Sequence, residues 1–269
     1  MTTTNELQPG HSAPEGLRLV MPGKRVPVAR GVAWIAEGWR LFARAPLMWL
    51  LAMLVLFLFS IIISIVPFIG TAVVQVLNPV YSGGLSVACR SLERGGEFEM
   101  EHLLAGFRTR FGPLAIVGLL FLAGMVVILL VFALAAGFSV IGAFLSGVAT
   151  PEDLPSVVAS SAMSILLGLL IALALWVPLL AAYWFAPTLV ILNDVPPAKS
   201  MAASFSACFR NFVPYLVYGV VMLAIGLIAA LPTLFIPYAG WVVSVFAFVV
   251  IYIVNVTAAY AAYRDIFTD

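Results

Sequence analysis

"GWRLFARAPLMWLL", from Gly38 to Leu51, sets an aromatic residue, two arginines and a proline directly before a long apolar run. The arrangement returns as "GFRTRFGPLAIVGL" from Gly106 to Leu119 and as "SACFRNFVPYLV" from Ser206 to Val217. Each word closes a segment of helical period. In the first, Val32, Ile35, Trp39 and Phe42 follow one face while Glu37, Arg40 and Arg44 follow another. Met100, Leu103, Leu104, Phe107 and Phe111 make the apolar stripe of the second, and Met201, Phe205, Phe209 and Phe212 that of the third. Such a helix lies in the headgroup plane with its aromatics toward the acyl chains. Pro46, Pro113 and Pro214 then sit in the first turn of the run that follows, where a missing N–H costs nothing. The word is a corner that turns a surface helix into a membrane helix.

Composition agrees with that reading. Of the 269 residues 64% are hydrophobic and 9% charged, against about 25% charged in a soluble domain. Lipid is therefore the solvent for most of the chain. Six runs are long enough to cross a bilayer, at about 46–66, 68–90, 113–136, 163–192, 214–236 and 238–263. The links at Pro67 and Pro237 are so short that they force antiparallel hairpins. The fourth run is too long for one straight crossing and is expected to tilt, to kink at Pro178 or Pro187, or to protrude.

All 13 Lys and Arg residues fall in the N-terminal segment, the loops after spans two and four, or the C-terminal end. The positive-inside rule predicts cytoplasmic N- and C-termini in a bacterial inner membrane. Residues 1–29 are rich in Pro, Gly, Thr and charge, do not form a signal peptide, and read as a disordered cytoplasmic tail. The opposite-side connection 137–162 holds Glu152 and Asp153, with Thr150 as a helix cap before Pro151. Its apolar start, 137–147, reads three ways: an extension of span three, an interfacial segment, or a re-entrant loop.

The second span of each pair carries an interruption: "LNPVYSGG" at Leu77–Gly84, "FAPTLVILND" at Phe185–Asp194 and "VNVTAAY" at Val254–Tyr260. The chain is thus expected to be all-α, with six spans in a 30–269 domain built of three parallel helix-hairpin repeats near 30–92, 97–195 and 197–269, each opened by a cytoplasmic amphipathic helix. The words "GWRLFARAPLMW", "NPVYSGGLSVACRSLERG" and "NVTAAYAAYRDIF" resemble a family of bacterial six-helix inner-membrane proteins of unknown function. More distantly they are similar to the membrane domain attached to some glycerophosphodiester phosphodiesterases. That resemblance implies architecture and carries no site residues.

Catalysis or ion coupling within a membrane uses ionisable groups placed inside it, and the span interiors hold none. His11 and His102 are far apart, and "EFEMEH" at Glu97–His102 has the spacing of a solvated helix face. Cys89 and Cys208 lie beside basic islands and read as free thiols. No catalytic, cofactor or metal site is expected, and no nucleic-acid partner. The candidate cavity residues are Gln75, Asn78 and Pro79 in span two, Pro187 and Thr188 in span four, and Asn255 and Thr257 in span six. They are placed where three kinks meet, and the competing reading makes them helix glue. The interfacial anchors are Trp34, Trp39, Arg40, Arg44, Phe107, Arg108, Arg110, Phe209 and Arg210. The expected function is a non-enzymatic scaffold or accessory factor that binds membrane lipid or another membrane protein. The alternative is a transporter that passes a lipidic or small neutral solute through the cavity.

Topology is directly testable. In a cysteine-free background, cysteines at Thr150 and Tyr238 should react with an impermeant thiol reagent in intact cells. Those at Glu97, Lys199 and Asp269 should react only after permeabilisation. Labelling of Lys199Cys in intact cells contradicts the six-span arrangement.

Overall fold

A computed structural model of the chain describes residues 18–145, 147, 150–236 and 239–269. The first 17 residues of the expected tail, the link at Pro237 and Tyr238, and positions 146, 148 and 149 lie outside the described residues. The helices are α1 (Arg30–Arg44), α2 (Pro46–Ser64), α3 (Ile69–Glu93), α4 (Ala105–Thr109), α5 (Phe111–Leu145), α6 (Leu154–Ser160), α7 (Ala162–Trp184), α8 (Ala186–Asn193), α9 (Pro197–Arg210), α10 (Phe212–Phe235) and α11 (Gly240–Phe267). Short 3₁₀ segments, Met100–Leu104 and Pro151–Asp153, precede α4 and α6. Among the described residues β-pairing is limited to one bridge, Leu19 with Thr268. Six helical stretches are long and apolar enough to span a bilayer: α2, α3, the first 25 residues of α5, α7 with α8, α10 and α11. The protein is an all-α polytopic membrane protein.

Each corner is a single residue. Ala45 (φ −148°, ψ 56°), Arg110 (φ −140°, ψ 33°) and Asn211 (φ −113°, ψ 32°) break the helix in the same way between a surface helix and a span. Beyond the corner, the surface segment of each unit lies on the second span of the unit before it. The 3₁₀ segment and α4 pack on α3, and α9 packs on α7 and α8. Helix α1 packs on α11, which joins the first unit to the last and closes the ring. Small residues make these crossings close. A Cβ at Gly38 would stand 2.8 Å from the Ala258 nitrogen and 2.9 Å from the Val254 carbonyl oxygen, and one at Gly106 2.2 Å from the Val80 carbonyl oxygen. In the third unit Ser204 fills the corresponding place and donates its hydroxyl to the Ala181 carbonyl at 2.6 Å.

The ring is fastened by charge. The Arg264 guanidinium on α11 donates to Glu37 of α1 and to Glu93 of α3. Asp265 accepts from Arg30 Nε at 2.5 Å and from the Trp34 indole N–H at 2.8 Å, and Arg30 also donates to Glu37 at 2.7 Å. The Glu37 and Asp265 side chains are only 17% and 15% exposed. Pairing is what makes carboxylates tolerable there.

Packing is one-ended. Near the basic end Trp49, Phe185, Ile253 and Phe267 are fully buried, with Trp34 almost so. Toward the opposite end Leu58, Ile62, Leu129, Leu170 and Leu227 are all exposed, as suits helices solvated by lipid.

Several expectations change. Residues 18–29, read as part of a disordered tail, run along the end of α11: Val20 N–H donates to the Phe267 carbonyl at 2.8 Å and Lys24 N–H to the Ile266 carbonyl at 2.8 Å. The last carbonyls of a helix lack internal partners, and this segment supplies them. The stretch 137–145 continues α5, a helix of 35 residues, rather than forming a re-entrant loop. Helix α3 runs through Pro79 and α11 through Asn255, so among the three expected interruptions only the one before Pro187 breaks a helix, at Phe185. The second surface segment is 3₁₀ and then α rather than one helix, with Glu99 and His102 forming a reciprocal cap. Thr150 stands directly before the Pro151–Asp153 segment, as expected of a cap. Its N–H and hydroxyl donate to Asp153 at 2.9 and 2.8 Å, holding that carboxyl below its usual pKa.

Replacing Arg264 by Gln leaves Glu93 only the Tyr260 hydroxyl and Glu37 only Arg30, and should lower stability by about 3 kcal/mol, the low end for a broken buried pair. The exposed Arg108–Glu101 pair is the control, where Arg108→Gln should cost less than about 1 kcal/mol. Thermal melting in detergent checks both. Equal melting of the two variants contradicts the fastening role of Arg264.

Candidate intramembrane cavity

The divergence of the helices leaves a cavity of about 1000 Å³ between α2, α3, α7–α8 and α11. Its walls are largely apolar, from Leu50, Met53 and Phe57 on α2 to Val249 and Val256 on α11. A band of amides, hydroxyls and an indole crosses them. Of the sequence candidates, Asn78, Thr188 and Asn255 line this cavity together, one from each of the three second spans. The others do not. Gln75 turns to the Met125 sulfur at 3.5 Å, Pro79 and Pro187 are buried in helix packing, and Thr257 donates its hydroxyl to the Gly38 carbonyl at 2.9 Å. The two prolines sit in the lining helices with their rings in the core, and Thr257 serves the α1–α11 crossing.

The bonding of the polar band leaves donors over. Asn78 Oδ1 accepts from the Tyr183 hydroxyl at 2.9 Å, and Asn255 Oδ1 accepts from the Tyr218 hydroxyl at 2.5 Å. Neither amide nitrogen has a partner among the described residues. The Tyr81 hydroxyl and the Trp184 indole N–H, both from lining residues, are also buried without a partner. Ser86 and Thr188 satisfy one another at 2.8 Å. Two unpaired amide nitrogens therefore belong to residues that line an apolar space, and two further unpaired donors, of Tyr81 and Trp184, are shut inside its walls. In a medium without water each such group is costly unless an acceptor meets it. Tyr81, Trp184 and the tyrosine partners were missed in the sequence because they sit inside long apolar runs, where an aromatic reads as part of the apolar surface. The signal present was an aromatic with a polar tip inside an apolar run.

At the basic end the cavity closes. Tyr260 lines it and donates its hydroxyl to Glu93 at 2.7 Å, joining its floor to the ionic fastening. On the far side of Glu93 a second, smaller pocket of about 220 Å³ lies among Glu37, Arg40, Arg44 and Arg264.

The expected anchors divide by what they touch. Trp39 is 53% exposed beside Phe42, with ring centres 5.3 Å apart, and Phe209 is exposed against Phe205 at 4.6 Å. Phe107 is half-buried between Tyr81 and Phe111. Arg108 pairs with Glu101 at 3.0 Å, Arg110 with Asp194 at 2.7 Å, and Arg210 faces the Gly23 carbonyl at 3.5 Å. Trp34 is a correction. Its ring is buried against Tyr215 and Tyr218, because α1 turns that face to the bundle and not to lipid.

Over 253 residues the chain is 31% identical to a probable inner membrane protein of Burkholderia thailandensis, an alignment that covers 90% of this chain and 92% of that protein. The chain belongs to that family of inner membrane proteins. With its six spanning helices it is a multi-pass protein of the inner membrane. No family model and no solved structure matches it, so the likeness to the membrane domain of some glycerophosphodiester phosphodiesterases rests on the corner words alone.

Proposed function

We propose that the protein is a non-enzymatic accessory protein of the inner membrane that holds a lipid in the cavity between α2, α3, α7 and α11, with both termini in the cytoplasm. One observation carries the reading: two amide nitrogens without partners, from Asn78 and Asn255, belong to the lining of an apolar space of lipid size. Their natural complement is a molecule with acceptor oxygens and long apolar chains, and a glycerolipid with ester carbonyls has both. The polar groups of the cavity are amides, hydroxyls and an indole, none of which exchanges a proton readily near neutral pH. That favours binding over acid–base chemistry. Passage of a solute would require a route through Trp49, Phe185, Ile253 and Phe267, all fully buried at the basic end. The orientation follows from the one-sided Lys and Arg residues.

Native mass spectrometry of the protein released from membranes should find a retained glycerolipid. Asn78→Ala and Asn255→Ala should melt within about 1.7 kcal/mol of wild type, the upper range for interhelical polar contacts, yet lose most of that lipid. Ser82→Phe, which fills the cavity from α3, should displace it altogether. Undiminished lipid in all three variants rules the reading out. Solute flux into vesicles that carry the protein, abolished by Ser82→Phe, would replace it with transport.

A further inference from the structure

We propose that the smaller pocket, between α1 and the ends of α3 and α11, binds the phosphate of an anionic membrane lipid through Arg40 and Arg44. The site is separate from the intramembrane cavity and is built of different residues. Three guanidinium groups and two carboxylates line it. Both carboxylates are committed: Glu37 accepts from Arg264 and Arg30, and Glu93 accepts from Arg264 and the Tyr260 hydroxyl. Arg264 is committed with them. Arg40 has no hydrogen bond or ion pair among the described residues. Arg44 has one hydrogen bond there, from its Nη1 to the Leu92 carbonyl at 2.5 Å, and no carboxylate. One positive charge is left in excess, held on two guanidinium groups that share a pocket.

Their spacing fits a single oxyanion. Residues four apart on a helix are neighbours on one face, and two like charges so placed repel unless an anion lies between them. Planar guanidinium forks match the oxygens of a phosphate. The single excess charge matches a phosphodiester, which carries one negative charge. Leu41 and Ala261 complete the lining with apolar surface suited to a glycerol unit. The setting supplies the lipid: the neighbouring face of α1 exposes Val32 and Trp39, and α2 opens with Leu47 76% exposed. A headgroup in the pocket thus has acyl-facing surface beside it.

The test uses the purified full chain in non-ionic detergent, offered phosphatidylglycerol and phosphatidylcholine with identical acyl chains. Native mass spectrometry counts the retained lipid. Beyond the one lipid held in the intramembrane cavity, wild type should retain the anionic lipid roughly ten-fold or more over the zwitterionic one, about one charge-assisted contact in size. Arg40→Gln should erase most of that preference without changing thermal melting, because Arg40 supports no other residue. The double variant Arg40→Gln/Arg44→Gln should erase all of it, and Arg44→Lys stands in if loss of the Leu92 contact prevents folding. Retention of phosphatidylcholine in the intramembrane cavity should be untouched in each. Inorganic phosphate and glycerophosphoglycerol form the second arm. If they displace phosphatidylglycerol at equal concentration, the chains contribute nothing and the occupant is a free phosphate, which overturns the lipid assignment. Equal retention of the two lipids by wild type beyond the cavity occupant, or an unchanged preference in Arg40→Gln, overturns the site.

Discussion

The Arg264 guanidinium joins three parts of the chain that are distant in sequence. It comes from the last helix and binds Glu37 on the first helix and Glu93 at the end of the third. A chain of hairpins in lipid has little hydrophobic drive to hold its hairpins together, since acyl chains are as apolar as leucine. Close backbone crossings and polar contacts must do it instead. Gly38 lets α1 lie against α11, Thr257 ties the two by a hydrogen bond at the crossing, and the Arg264 contacts lock the ends. Asp265 extends the lock to Arg30 and Trp34, so α1 is held along most of its length. Beside this fastening the first and last units meet through α1 on α10 and through the approaches of α2 and α3 to α11.

Fastening at one end has a consequence at the other. The surface helices, the ionic contacts and the fully buried aromatics all lie at the basic end, where every unit caps its predecessor. Among the described residues no corresponding ring braces the opposite end, and the spans separate there with lipid-facing surfaces. The cavity is the inner side of that separation. Its apolar walls cost nothing in a bilayer, whereas its unpaired donors do. The polar band is therefore the part of the structure that packing does not explain.

The corners were legible in the sequence because they depend on local chemistry: an amphipathic period, a single breaking residue, and proline in the next turn. All three recur at Ala45, Arg110 and Asn211 with the same backbone form. The order of the spans was legible for the same reason. The cavity was legible only in part, because Asn78, Thr188 and Asn255 are polar residues in apolar runs and stand out, while direction is not written in composition. Thr257 lies two residues from Asn255 and faces the other way, to Gly38. Trp34 misled similarly. A helix with apolar residues on two faces can offer either to lipid, and which face is buried depends on α10 and α11, more than 170 residues away in the chain.

The long-range carboxylate partners were hidden for a further reason. Glu37 and Glu93 have the periodicity of solvated faces, and only the closing of the ring brings them to one arginine. That closure also places Tyr260 between two spaces. Its ring lines the intramembrane cavity while its hydroxyl holds Glu93, whose carboxylate lines the arginine pocket. The two spaces thus share a wall made of the Tyr260–Glu93 pair. Because Glu93 accepts from both Tyr260 and Arg264, a rotation of the tyrosine toward an occupant of the cavity removes one of its two donors. The remaining charge is then balanced by Arg264 alone, and Arg264 must also serve Glu37. The geometry makes the ionic fastening and the cavity floor one structural unit.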